Sequence, residues 1–256
     1  MQTFIHTVSK GTNFNQIYIP REWRAIFEPG DEVEVRLVKK LISIYSAKNT
    51  PPLTPFKESL ARQVFSLLRG FPAIGQVFIV GSFITQLIGF KDIDVLIVGD
   101  TASGPKLNIE EILQRAINLQ FHCMVVPQSR FEKLRKSCPL IRNMLLACVS
   151  NKPIIPLPPK EIDKSHIQYL LMMPEDILEI TVGSRSYYDN LRRLVVIENF
   201  LADKEAFNAV VQKTIERLLS QPLLGMVKDN IPIDDELLQK VRPTIREKIK
   251  AIRKLL

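Results

Sequence analysis

Apolar and polar residues alternate over positions 3–8, again over 16–19 and 33–38, and a fourth time over 41–45. Side chains on a strand point to opposite faces in turn, so this period predicts short, half-buried strands. Pro20 suits a helix entry for the segment that runs to Phe27, and Pro29-Gly30-Asp31 marks a turn. Beyond residue 56 the period changes. Leu60, Val64, Phe65, Leu67 and Leu68 recur at helical spacing over residues 56–69, and Gly70 and Pro72 end the run. Short β-branched runs at 76–80 and 93–98 read as buried strands. Residues 108–119 read as an amphipathic helix with Ile109, Ile112, Leu113, Ala116 and Ile117 inward, and 121–126 as the next strand. The pattern is helical over 129–148, and again over 164–172, 186–201, 204–219 and from 234 to the end.

Two proline-rich stretches divide these elements. Asn49-Thr50-Pro51-Pro52-Leu53-Thr54-Pro55 cannot hold regular structure and makes a semi-rigid spacer, and residues 151–159 repeat that composition. The expected organisation is a small β unit over 1–47, a linker over 48–55, an α/β unit over 56–150, a linker over 151–163 and a helical bundle over 164–256. The fold class is α+β, multidomain, with a mixed sheet in the central unit. No internal repeat or low-complexity tract is present.

In the first unit, Ser9-Lys10-Gly11 is followed by Gln16-Ile17-Tyr18-Ile19-Pro20, a short helix, and Pro29-Gly30-Asp31-Glu32-Val33-Glu34-Val35. This order closely resembles the AbrB or SpoVT-type swapped-hairpin domain. The resemblance implies that two chains interlace hairpins to complete one small barrel, and that basic residues contact DNA. It makes Lys10, Arg21 and Arg24 the candidate phosphate contacts. Glu22, Glu28, Asp31, Glu32 and Glu34 dilute that charge, so dimerisation alone is the competing reading.

The central unit carries the candidate chemistry. Asp92 and Asp94 stand two apart at the head of a strand and so share a face, as a common divalent-metal site requires. Nucleotidyl transfer needs such a cation, and hard ions want carboxylate oxygens. Gly81-Ser82 ends the preceding strand, where a missing side chain lets the backbone approach a phosphate and Ser82 offers a hydroxyl. Residues 83–88 suit a short helix whose N-terminus faces the triphosphate. The order of strand, Gly-Ser turn, short helix, Leu87-Ile88-Gly89, Lys91, Asp92-Ile93-Asp94 and apolar strand resembles the nucleotidyltransferase fold family of the polymerase-beta type, over about residues 56–126. The resemblance implies Asp92 and Asp94 as catalytic metal ligands and Gly81, Ser82 and Lys91 as nucleotide contacts. It further implies magnesium, with manganese as the variant, and a nucleoside triphosphate as substrate.

Two features depart from that family pattern. The connection from Gly89 to Asp92 is short, and the strand that usually supplies a third carboxylate contains none. His122 occupies the nearest place, where it is either a metal ligand or an ordinary half-buried histidine. Imidazole suits manganese or zinc better than magnesium. Glu110 and Glu111 are the other candidates, although acidic residues in a first helical turn also complement the helix dipole.

The formal net charge of +8 favours an anionic partner, and RNA or another nucleic acid is the expected acceptor. Arg185 and Arg192, with Tyr187, Tyr188 and Arg193, open a helix that can clamp a polynucleotide or simply present a solvated basic face. The terminal Arg242, Arg246, Lys248, Lys250, Arg253 and Lys254 form a basic helix suited to phosphates or to a partner helix. Cys123, Cys138 and Cys148 fit no zinc spacing and read as reduced thiols. No signal-like or membrane-spanning run stands out, so a cytoplasmic protein is expected, and the swapped-hairpin resemblance implies a homodimer. Two functions follow: a magnesium-dependent nucleotidyltransferase, or a catalytically inactive relative acting as a dimeric DNA-binding regulator or toxin-antitoxin-type protein.

Overall fold

The computed structural model describes residues 4–36, 41–86, 89–100, 109–204, 206–232 and 235–256. The chain divides into two units, Met1–Leu41 and Ile42–Leu256.

In the first unit, β1 (Ser9–Lys10) pairs antiparallel with β2 (Asn15–Gln16), and a 3-10 turn over Arg21–Trp23 follows Pro20. The rings of Phe4, Trp23 and Phe27 gather with centroids 5.5 to 6.4 Å apart. No described residue of this unit is buried. The four alternating runs predicted four strands, and the structure differs. Residues 4–8, 17–19 and 33–36 lie outside any strand, and residues 37–38 lie outside the described residues. Alternation supplies an apolar face, but a lone short hairpin has nothing to bury it against.

The second unit opens with β3 (Tyr45–Ser46), α1 (Pro55–Leu68), β4 (Ile74–Val80), β5 (Asp92–Gly99), α2 (Ile109–Ile117) and β6 (Gln120–Val126). It continues through α3 (Gln128–Ser137), α4 (Pro139–Leu146) and β7 (Val149–Ser150), then α5 (Lys164–Asp176), α6 (Ser184–Leu201), α7 (Asn208–Leu218), α8 (Gln221–Lys228) and α9 (Asp235–Leu255). The fold is of the mixed α+β class. Its sheet has the order β3-β7-β4-β5-β6, antiparallel except for the parallel β5–β6 pair.

Both faces of this sheet are covered, which explains why β4 and β5 read as continuous apolar runs. Val77, Ile79, Ile93, Val95 and Ile97 pack with Leu60, Val64 and Phe65 of α1 and Leu113 of α2. Phe78, Val80, Leu96, Val98 and Val126 face the other way, into one apolar cluster with the helices from α3 onward. α6 lies at the heart of that cluster: Tyr187, Leu191, Leu194 and Ile197 are fully enclosed.

The predicted single helix over 129–148 is two helices, α3 and α4. Pro139 disfavours helical backbone at the residue before it, and Cys138 is accordingly extended, with φ −94° and ψ 112°. The second linker holds no helix or strand over 151–163, yet it is fastened. Prolines offer carbonyls without N–H groups, and two arginines supply the missing donors. Buried Arg135 donates to the carbonyls of Ile155 and Pro156 at 3.1 and 2.8 Å, and Arg142 to that of Pro158 at 2.8 Å.

Candidate metal and nucleotide site

β5 runs antiparallel to β4 and parallel to β6, so the end of β4 meets the start of β5 and β6. Val80 lies opposite Asp94, Asp92 beside Gln120, and Asp94 beside His122. Neighbouring residues in register share a face. Asp92, Asp94 and His122 therefore project on the side that, further along, carries Leu96, Val98 and Val126 under the helices. The three polar side chains stand where that face emerges from its helical cover.

Their ligand atoms lie within 4.8 Å of one another. His122 Nδ1 is 3.6 Å from Asp92 Oδ2 and 3.6 Å from Asp94 Oδ1. Burial, and then the neighbouring charge of Asp92, push the Asp94 carboxyl above its ordinary range; His122 and Arg192 oppose that rise. Two carboxylates held together at a partly buried strand end are a recognised setting for a divalent cation, and three converging donor atoms fit one.

Gly81 shapes the floor. Its φ of +78° is a left-handed conformation, and a Cβ there would lie 2.0 Å from Asp94 Oδ2. The expectation that glycine serves close approach to a phosphate is thus joined by a second reason, room for Asp94. Ser82 is exposed, and its carbonyl accepts from Thr85 N at 3.1 Å and Thr85 Oγ1 at 2.7 Å. The helix predicted over 83–88 is not formed: residues 81–84 make a turn and 85–86 a bend, while Leu87 and Ile88 lie outside the described residues. Phe83 and Ile84 are buried, and the turn serves to deliver them to the core.

Sequence reasoning missed Lys57, whose Nζ donates to the Thr85 carbonyl at 2.8 Å and lies 5.7 and 5.6 Å from the ring centroids of Phe83 and Phe90. Burial lowers its pKa. A signal was present: Lys57 falls three, four and seven residues before Leu60, Ala61 and Val64, in register with the buried stripe of α1.

The other candidates separate clearly. Glu110 Oε1 accepts from Cys123 N at 2.7 Å, and Glu111 pairs with Arg115, so neither joins the aspartates. Lys91 is exposed, with its Nζ 4.0 Å from Asp229 Oδ1. Arg192 donates to Asn208 Oδ1 at 3.0 Å, and its charge acts on Asp94. Arg185 stacks over Tyr188 at 5.0 Å, pairs with Asp189 at 3.2 Å and donates to the Lys228 carbonyl at 3.0 Å. Lys10, Arg21 and Arg24 are exposed on the first unit. Burial, followed by the charges of Glu110 and Asp94, pushes the Cys123 thiol up to about 12, and burial does the same for Cys148. Both stay protonated and unreactive.

Among solved structures, the chain is similar to a crystal structure of spectinomycin adenyltransferase AAD(9) from Enterococcus faecialis with ATP and spectinomycin. The identity is 13%, the TM-score 0.47, and the match covers 78% of this chain and 99% of that one. No family model matches the chain, and no curated protein matches it. No helix among the described residues is long and apolar enough to cross a membrane.

Proposed function

We propose that the chain is a nucleotidyltransferase, moving a nucleoside monophosphate from a nucleoside triphosphate to a hydroxyl acceptor at Asp92 and Asp94. The observation that carries this reading is the convergence of both carboxylates, within 4.8 Å of His122, beside the Gly81 turn. A divalent cation held by Asp92 and Asp94 would neutralise triphosphate charge and favour ionisation of the attacking hydroxyl.

The chain's own groups do the rest. The Gly81-Ser82 turn offers backbone and hydroxyl to the phosphates, and Lys91 adds a cation at the rim. Arg192, whose charge acts on Asp94, would supply a guanidinium suited to phosphate oxygens. The hydroxyl oxygen bonds to the α-phosphorus, the bond to the departing pyrophosphate breaks, and the hydroxyl proton leaves to water at the open mouth. The excess of positive charge supports RNA or another nucleic acid as acceptor, with Arg185 and Arg192 along its path.

The test is incorporation of labelled nucleotide from each of the four triphosphates into RNA, DNA and small hydroxyl acceptors, with magnesium or manganese. Wild type should incorporate one of them, and Asp92→Asn and Asp94→Asn should each lose at least a hundredfold. Equal inertness of all three proteins would defeat the enzyme reading.

A second reading rests on a different observation. The apolar residues of the first unit lack a core, which favours completion by a second copy and, through Lys10, Arg21 and Arg24, a dimeric DNA-binding regulator. Salt-dependent DNA binding lost in a Lys10, Arg21, Arg24 triple alanine variant would support it.

A further inference from the structure

We infer that His122 is the third ligand of the Asp92–Asp94 site, and that the site therefore selects a divalent transition cation, manganese or zinc, over magnesium. This rests on the proposed metal-dependent reading and names the ion that reading requires.

His122 Nδ1 lies at the same 3.6 Å from one oxygen of each aspartate. That is beyond a hydrogen bond, which closes at about 2.7–3.2 Å. It matches the separation of two donors on one tetrahedral cation such as zinc: bonds of about 2.1 Å at near-tetrahedral to trigonal angles put ligand atoms roughly 3.4–3.6 Å apart. Octahedral magnesium, like octahedral manganese, would call for a closer spacing of roughly 2.9 Å; what separates the two ions is the imidazole, since magnesium wants oxygen donors throughout. The pairing is also written into the backbone, because Asp94 and His122 are register partners on parallel strands. No described acidic residue competes for the place: Glu110 and Glu111 are engaged elsewhere. An imidazole nitrogen beside two carboxylates is a borderline donor set, which follows the manganese-to-zinc series and discriminates against magnesium.

The imidazole is 64% exposed, so replacing it removes a donor without disturbing the core. The experiment is titration of the full, metal-free chain with Mn2+, followed by the loss of free Mn2+ signal in electron paramagnetic resonance, with Mg2+ and Zn2+ as competitors. Wild type should bind Mn2+ at least tenfold more tightly than Mg2+ and show nitrogen modulation in the pulsed spectrum. His122→Ala should lose that modulation and at least tenfold in Mn2+ affinity while leaving Mg2+ affinity within twofold. His122→Asp should restore affinity but turn the preference toward Mg2+.

Equal Mn2+ affinity in wild type and His122→Ala, with no nitrogen modulation and binding still lost in Asp92→Asn, would overturn the role of His122 and leave the aspartate site standing. Binding that survives in both Asp92→Asn and Asp94→Asn would overturn the site itself.

Discussion

Gly81 and Asp94 meet across the β4–β5 pair so closely that the glycine's missing side chain is the space the carboxylate fills. A Cβ on Gly81 would lie 2.0 Å from Asp94 Oδ2, and the residue's φ of +78° penalises any side chain. Gly81→Ala should therefore cost about 1–3 kcal/mol of stability and displace Asp94. Chemical denaturation measures the first effect and cation affinity the second. A variant that keeps both would show that the turn yields freely.

Asp94 stores part of the cost of building the site. Burial and Asp92 raise its carboxyl above the ordinary 3.8, so the ionised form is disfavoured in the folded protein. The sign follows: the stabilising contribution of this group is complete below the unfolded value and is lost as pH rises through the raised one. Asp94→Asn should thus be more stable than wild type at pH 7 and lose its advantage below about pH 3.8. With 39% of the side chain exposed, screening limits the gain to a few tenths of a kcal/mol, or about 1 °C in Tm. Paired melts at pH 7 and pH 3.5 test it, and a less stable Asp94→Asn at pH 7 would contradict the origin given for the shift.

Lys57 holds the turn from behind. Its Nζ reaches the Thr85 carbonyl at 2.8 Å while its stem packs in the core, with 3% of the residue exposed. Lys57→Met keeps the stem and removes this donor from the part-buried Thr85 carbonyl. We expect a loss of about 1–3 kcal/mol and a fall in activity with it. Unchanged stability would mean that the Lys57 hydrogen bond does not hold the turn.

Lys57 also marks how far the sequence could be read. Strands β4 and β5 were legible because both sheet faces are buried there and the apolar runs are continuous, and period two alone placed Asp92 beside Asp94. The partner of Asp94 depended on a parallel register that no local pattern encodes, so His122 was the nearest candidate, with Glu110 and Glu111 as alternatives, until the strands were paired. The proline-rich linker was legible as irregular, but its ties to Arg135 and Arg142 were not, since donors for carbonyls come from distant sequence. The basic tail read as a helix suited to phosphates or to a partner helix. In the structure Lys248 pairs with Glu198 at 2.7 Å, Arg253 with Glu175 at 2.7 Å, and Arg242 donates to the Ile180 carbonyl at 2.9 Å. Charge pattern shows which residues are basic, and packing decides which remain available.

Arg192 acts on the site through its charge, while its guanidinium donates to Asn208 Oδ1 at 3.0 Å. Its charge restrains the rise of the Asp94 carboxyl, so Arg192→Gln should push that carboxyl higher still. Nucleotide KM should rise about tenfold, the loss of one charge-assisted phosphate contact. Carboxylate titration by NMR reads the first and initial-rate kinetics the second. If the Asp94 titration does not move, the two residues are not electrostatically coupled.

The first unit makes the strongest statement about assembly. Ile5 is 81% exposed and Phe14 80%, with Val33 and Val35 also open to solvent, and no described residue there is buried. An alternating sequence that buries nothing in one chain has its apolar face unmatched, and a second copy of the same face can cover it with closed symmetry. Burying one such side chain is worth about 1.5–3 kcal/mol, so Ile5→Asp and Phe14→Asp should each weaken a dimer by about tenfold or more. Sedimentation of the full chain should give a dimer for wild type and a growing monomer fraction for each variant at micromolar concentration. A wild type that sediments as a monomer at every concentration would mean that the first unit leaves this face uncovered in the free protein.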